Sequence, residues 1–230
     1  MKHSRPFPTL LRATAFALTC VAGAAVAADE PALTVLGRRV INESVETSTD
    51  AAPGYRIRLT LAILRGAGWS AGTVVEAAKR ALRILHQCGI RAATLEVTEF
   101  AGPSRYRTFS TPVARELAAR LALPRPAVFF LAESGQSPAF DAEAVGRGNS
   151  GSRPEMADTV WVVAGARDLD VVIAHELVHV LTDSGVHAQA IGNLMREDTA
   201  PEATQLSAAQ CEAVVTTARR NGLIQPLGGR

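Results

Sequence analysis

One short motif constrains this chain more than any other feature: His175-Glu176-Leu177-Val178-His179 lies inside an apolar run. The two histidines are four residues apart, so on an α-helix they lie one above the other on the same face. At that spacing both imidazoles can bind one metal ion, and neutral imidazole is a good ligand for zinc. Glu176 has the chemistry of a general base for the water that such a metal activates. The competing interpretation is a pair of core histidines, which would leave the nearby carboxylate in need of a partner.

The first 28 residues have the organisation of a secretory signal peptide. Lys2, Arg5 and Arg12 give a positively charged start, and the apolar run 13–27 ends in the small-residue cleavage site Ala25-Val26-Ala27. The run is short for a membrane span of about 20 residues. We therefore expect a secreted or periplasmic protein without a membrane anchor after cleavage.

The composition is that of an ordinary globular chain, with 47% hydrophobic and 20% charged side chains among 230 residues. The formal charge is +2, but the predicted signal holds three basic residues and no acidic ones, so the remainder carries −1. Nothing in this balance favours nucleic acid or an anionic membrane as a partner. Cys88 and Cys211 follow the signal, and in an oxidising compartment we expect them to form a disulfide.

Patterns of strand and helix alternate along the rest of the chain. We expect a lead-in over 29–53 with one strand, and then a single domain over 54–230. The predicted strands are 55–64, 93–100, 128–131, 139–145 at a sheet edge, and 159–163; the predicted helices are 73–86, 111–121, the motif helix from Asp168 or Asp170 to about 183, and 207–220. The glycines in residues 146–151 predict a loop. This order predicts the α/β (α+β) class, with helices packed on a mixed sheet.

A catalytic zinc site needs a third protein ligand, and two downstream residues are candidates. His187 follows Gly185, a residue that lets the chain leave the helix and turn back towards the metal. Glu197 would instead complete the His₂Glu set of thermolysin-like enzymes. The spacing to Met195, eight residues beyond His187, favours the histidine.

The stretch His175 to Met195 resembles the metzincin clan of zinc peptidases, whose motif is His-Glu-x-x-His-x-x-Gly-x-x-His followed by a methionine turn. The matching positions are His175, Glu176, His179, His187 and Met195. The third histidine comes two residues later than in the clan, so a longer loop must precede it. The resemblance implies a single domain with a twisted mixed sheet, an antiparallel edge strand, an active-site helix and a C-terminal helix.

A rival motif occurs at Gly68-Trp69-Ser70-Ala71-Gly72, which fits the nucleophile elbow of α/β-hydrolases. That elbow follows a central strand, usually with several strands before it, and too few residues precede Ser70 for them. The alternative is a glycine-rich turn that leads into the next helix.

Together these features predict a zinc-dependent metalloendopeptidase that acts on peptide or protein substrates. Glu176 would be the general base, His175, His179 and His187 the zinc ligands, and Met195 the supporting methionine. Extended substrate is expected to pair with the predicted edge strand 139–145. A zinc-binding module without turnover is the alternative, and a closed site with Glu197 or Asp183 as a fourth ligand would favour it.

We expect the exported protein to begin at Ala28 or Asp29, because cleavage follows the small residues at 25–27. N-terminal sequencing of the exported form tests this. An exported chain that still carries Met1 would contradict it.

Overall fold

The computed structural model describes residues 31–44, 54–134, 144–147, 154–197 and 200–228. The predicted signal peptide and most of the predicted strand 139–145 lie outside these ranges. Within them, no helix has both the length and the apolar character that crossing a bilayer requires.

The elements follow one another in an alternating order. The strands are β1 (Thr34–Ser44), β2 (Tyr55–Leu64), β3 (Ile90–Ala101), β4 (Thr108–Phe109), β5 (Ala127–Leu131), β6 (Glu133–Ser134), β7 (Ala144–Arg147), β8 (Thr159–Val163) and β9 (Ile224–Pro226). The helices are α1 (Ala71–Leu85), α2 (Thr111–Leu121), α3 (Leu169–Thr182) and α4 (Ala208–Arg220). The predicted α/β class is confirmed.

The main sheet is mixed, and in the described residues its order is β1-β3-β2-β5-β8-β7, with β9 also pairing with β2. The strands β3, β2, β5 and β8 are parallel to their neighbours in this group. The outer strands β1 and β7, together with β9, run antiparallel to their partners. Ala144 and Val145 of the predicted edge strand 139–145 belong to the antiparallel β7, and β4 and β6 form a separate small pair.

The centre of the sheet is buried on both faces. All five residues of β5 and all five of β8 are buried, and so are the last six residues of β2. Near-continuous apolar runs are typical of strands that helices cover on both sides. The alternation in 55–64 predicted a half-buried strand, which holds only for the first part of β2.

Two hydrophobic clusters lie on opposite faces of the sheet. One cluster joins the sheet to α1, α3 and α4, and the other joins it to α2. The motif helix α3 therefore packs on the face that it shares with α1 and the C-terminal helix.

Helices α1 and α4 each begin directly after a serine whose hydroxyl caps the first turn. Helix α2 and helix α4 match the predictions, and Ser207 and Gln210 form the predicted capping box. Helix α1 begins earlier than predicted, because Ser70, and not Thr73, is its N-cap. The Ser70 hydroxyl accepts a hydrogen bond from the Thr73 amide at 3.0 Å, as expected for the glycine-rich turn rather than for a nucleophile elbow.

Other differences lie in short segments. Residues 146 and 147 belong to β7 and not to the predicted loop, whose remainder lies outside the described residues. The lead-in contributes β1, which pairs along its length with β3. Strand β9 was not predicted, because it is three residues long and contains Pro226.

Cys88 and Cys211 form a disulfide, with their Cα atoms 4.7 Å apart. Cys88 lies in a short 3₁₀ turn after α1, and Cys211 lies in the first turns of α4. Next to the disulfide, the side-chain amide of Gln87 donates through Nε2 to the Thr204 carbonyl and accepts through Oε1 from the Leu206 backbone amide, both at 2.8 Å. The end of α1 is thus joined to the segment that leads into α4.

Replacing both Cys88 and Cys211 by Ala should lower the free energy of unfolding by about 4–5 kcal/mol, since the disulfide closes a long loop. The two residues are 123 positions apart in the chain. Urea denaturation of oxidised wild type and variant measures the difference. Reductant should destabilise the wild type and leave the variant unchanged; equal stability of the two proteins without reductant would contradict the prediction.

Candidate metal centre

Helix α3 holds His175 and His179 rigidly because almost its whole surface is covered. Eleven of its 14 residues are buried. A helix that is apolar on all sides is stable only in a core, so this sequence forms a helix surrounded by other elements. His175 is 3% exposed and His179 is 9% exposed, and one helical turn separates them on the same face.

The chain reverses direction directly after α3. Asp183 has a left-handed conformation with φ of 50°, and its amide donates to the His179 and Val180 carbonyls. The predicted turn residue was Gly185, but the left-handed residue at this helix end is Asp183, as is common just past a helix C-terminus. After the reversal, His187 lies beside the two helical histidines and is exposed to solvent.

The Nε2 atoms of three histidines converge. The Nε2 atom of His179 lies 3.0 Å from that of His175 and 3.2 Å from that of His187. The candidate ligand atoms of all three lie within 4.8 Å of one another. Two residues of a buried helix and one of an exposed loop therefore point the same ring atom at one position.

The Nδ1 atoms of the two helical histidines form hydrogen bonds with backbone carbonyls. His175 Nδ1 lies 2.7 Å from the Leu194 carbonyl oxygen, and His179 Nδ1 lies 2.7 Å from the Ser184 carbonyl oxygen. A carbonyl only accepts, so each Nδ1 must carry the proton and donate it. In a neutral ring the Nε2 atom is then unprotonated, with its lone pair facing the other histidines.

Burial keeps these rings neutral. It lowers the pKa of His175 to about 4 and lowers the pKa of His179, because the charged form loses hydration. The contact between the Nε2 atoms of His175 and His179 therefore joins two lone pairs and is not a hydrogen bond. A cation placed between the rings removes that repulsion.

The donor set fits zinc. Tetrahedral Zn–N bonds of about 2.0–2.1 Å separate the ligand nitrogens by about 3.3 Å. The observed separations of 3.0 and 3.2 Å are close to that value. Among the described residues, the group that could hold a metal consists of the three histidines; Glu197 and Asp183 are exposed and do not belong to it.

Met195 lies in a turn that contacts both arms of the site. Its side chain is 3% exposed and belongs to the core cluster around α3. Its carbonyl accepts a 2.7 Å hydrogen bond from the Ala188 amide, directly after His187. The preceding residue, Leu194, supplies the carbonyl that receives the His175 proton. The turn over 192–195 therefore orients one helical histidine and anchors the loop that carries His187.

Glu176 is half-buried and lies next to His175 on α3. Successive helical residues are rotated by about 100° around the axis, so its side chain leaves the helix on a different face from the histidines. Consistent with that direction, the group of candidate ligand atoms consists of the three histidines and does not include Glu176.

Sequence reasoning missed the groups that orient the ligands. The Ser184 and Leu194 carbonyls leave no signal in the sequence, because any residue type offers a backbone carbonyl. Gln210 was recognised only as part of a helix cap, although its amide also bonds to Asn193 in the turn. Asn193, a polar residue two positions before Met195, was the available clue.

No protein-family model matches the chain, and no curated protein matches it by sequence. Among solved structures, it is similar to the crystal structure of metalloproteinase-II from Bacteroides fragilis, with a TM-score of 0.50 and 13% sequence identity. The similarity covers 76% of this chain and 56% of that one, so this chain spans little more than half of the other's length. At this identity the likeness concerns the fold: a mixed α/β domain of the kind found in a metalloproteinase.

Replacing His187 by Ala should weaken zinc binding by more than about 100-fold, a larger loss than that caused by changing an outer-shell partner. Replacing Glu197 by Ala should change zinc binding little, because its carboxylate lies outside the histidine cluster. Competition with a chelator of known affinity measures both. The reverse order of effects would assign the third ligand to Glu197.

Proposed function

We propose that this chain is a zinc-dependent peptidase that works in the periplasm or outside the cell. His175, His179 and His187 hold the zinc, and Glu176 is the general base. The observation that carries the proposal is the convergence of the three Nε2 atoms, two of which have their Nδ1 protons committed to backbone carbonyls. The fold likeness to a metalloproteinase adds support.

The ligands come from two kinds of structure, which suits a site that must admit a substrate. His175 and His179 approach from the buried helix, and the exposed His187 completes the set from the loop. Three protein ligands leave a fourth tetrahedral position open to solvent, as in catalytic rather than structural zinc sites. When bound, zinc acidifies a water molecule and polarises a carbonyl group.

Glu176 supplies the proton transfers. Its carboxylate accepts a proton from the attacking water and delivers it to the nitrogen of the departing amine. The half-buried position of Glu176, directly after His175 on α3, supports this role. Helix α3 thus provides the base and two ligands from one rigid element.

The edge strand β7 is the surface that we assign to the peptide substrate. It is the last strand in the described sheet order, and it contacts α3. A strand with one unpaired edge can add an extended peptide through backbone hydrogen bonds. A peptide added there would run alongside the helix that carries Glu176.

A zinc-binding module without turnover is the second candidate. A fourth protein ligand would favour it, and the three-histidine group in the described residues does not supply one. The two candidates differ in whether zinc-loaded protein hydrolyses peptides.

Replacing Glu176 by Gln keeps the shape of the side chain and removes the base. Zinc content should stay near that of the wild type, while peptide hydrolysis falls by about 10²-fold or more, the scale of lost general acid–base catalysis. Metal analysis and digestion of a peptide library measure the two quantities on the same samples.

Glu197→Gln is the matched control, because it makes the same chemical change on the exposed carboxylate outside the histidine cluster. It should keep both zinc and activity. Loss of zinc in Glu176→Gln would make Glu176 a ligand, and full activity would remove it from the mechanism. A wild type that binds zinc and cleaves no peptide would favour the module without turnover.

A further inference from the structure

Two side-chain amides join the turn after the metal-centre histidines to helix α4. Asn193, in the turn over 192–195, is 9% exposed, and its partner Gln210 lies in the first turn of α4. The Asn193 Nδ2 group donates to Gln210 Oε1 at 2.9 Å, and the Gln210 Nε2 group donates to Asn193 Oδ1 at 3.1 Å. The two amides therefore bond reciprocally across the interface between turn and helix.

Backbone amides fix the orientation of both side chains. Asn193 Oδ1 also accepts from the Met195 amide at 2.9 Å, and Gln210 Oε1 also accepts from the Ser207 amide at 2.7 Å. A backbone amide only donates, so the oxygen of each side chain must face it, and neither side chain can be flipped without losing a bond. The pair is locked at both ends.

The turn that this pair holds is the one that orients His175. It makes two further backbone bonds to the segment before α4, from the Leu194 amide to the Gln205 carbonyl at 2.7 Å and from the Gln205 amide to the Gly192 carbonyl at 3.0 Å. The same turn presents the Leu194 carbonyl to His175 Nδ1. A shift of the turn would move that carbonyl and release the ring that it orients.

We propose that Asn193 and Gln210 are positioning residues of the metal centre. Their paired amides hold the 192–195 turn where the Leu194 carbonyl keeps His175 Nε2 directed at the other ligands and where the Met195 carbonyl anchors the His187 loop. The inference rests on the proposed function in that it takes the histidine cluster as a zinc site. Its consequence is that helix α4, through Gln210, sets zinc affinity without touching zinc.

The test compares variants that separate this role from the stability of α4. Gln210→Met keeps the length of the side chain and removes every hydrogen bond of the side-chain amide. Asn193→Leu does the same from the other side of the pair. Ser207→Ala is the matched control. It removes the hydroxyl that caps α4 by accepting from the Gln210 backbone amide, but it leaves the side-chain amides of Asn193 and Gln210 in place.

Zinc dissociation constants from chelator competition, and melting temperatures of the metal-free proteins, are measured for each variant. Gln210→Met and Asn193→Leu should weaken zinc binding by about 10–100-fold, the usual effect of losing an outer-shell partner. Ser207→Ala should lower the melting temperature and leave zinc affinity within about twofold of the wild type. Gln210→Glu keeps the acceptor oxygen for Asn193 and Ser207 but replaces the donor to Asn193 Oδ1 by a second acceptor oxygen, so it should recover only part of the lost affinity.

Two results would overturn the positioning role. One is zinc affinity within about twofold of the wild type in both Gln210→Met and Asn193→Leu. The other is an equal loss of affinity in Ser207→Ala, which would trace the effect to the stability of α4. In either case a zinc-binding, peptide-cleaving wild type leaves the proposed function intact, whereas a wild type that binds no zinc overturns both proposals.

Discussion

The candidate site depends on two hydrogen bonds from histidine rings to backbone carbonyls. The Nδ1 atoms of His175 and His179 each donate to a carbonyl oxygen 2.7 Å from the nitrogen, that of Leu194 and that of Ser184 respectively. These bonds choose the tautomer, fix the ring plane and leave the Nε2 lone pairs for a metal. Without them the two imidazoles could turn or exchange tautomers, and their Nε2 atoms could then satisfy one another by hydrogen bonding. The carbonyls therefore leave a pair of buried histidines with Nε2 lone pairs in positions that could hold a metal ion.

Both carbonyls belong to the chain after α3, so the site depends on how that segment is held. Residues 183–207 contain no helix or strand in their described part, and they are held by individual hydrogen bonds and by the burial of Leu194, Met195 and Ala203. The segment is fastened to α3 through the bonds of Asp183 and Ser184 to the His179 carbonyl, and to α4 through Asn193. The disulfide and the Gln87 amide then join the start of α4 to the end of α1. Elements far apart in the chain thus converge on one loop.

The sequence was sufficient for the parts of the structure that follow local rules. The i, i+4 histidines predicted the face of α3, the range predicted for α2 matches the observed helix, and the predicted capping box at Ser207 marks the start of α4. It was insufficient where tertiary contacts decide. Strand β9 has three residues and exists because β2 offers it an edge, and Ser70 became the cap of α1 although Thr73 has the stronger local motif. The reversal at Asp183 uses a left-handed aspartate where glycine was expected. The orienting carbonyls could not be found at all, because backbone groups are the same at every position.

The division of labour between α3 and the following loop has a physical reason. A helix buried on nearly all sides can hold ligands accurately, but it cannot leave a coordination position open, because its neighbours fill the space around it. A loop at the surface can leave such space, but a surface histidine alone is poorly fixed. The chain combines the two: His175 and His179 take their accuracy from the core, and His187 takes its own from the short bond between the Ala188 amide and the Met195 carbonyl. Because Met195 is itself buried in the core cluster around α3, the loop that carries the exposed His187 is anchored to the same core as His175 and His179. Solvent access and accurate geometry therefore coexist at one site.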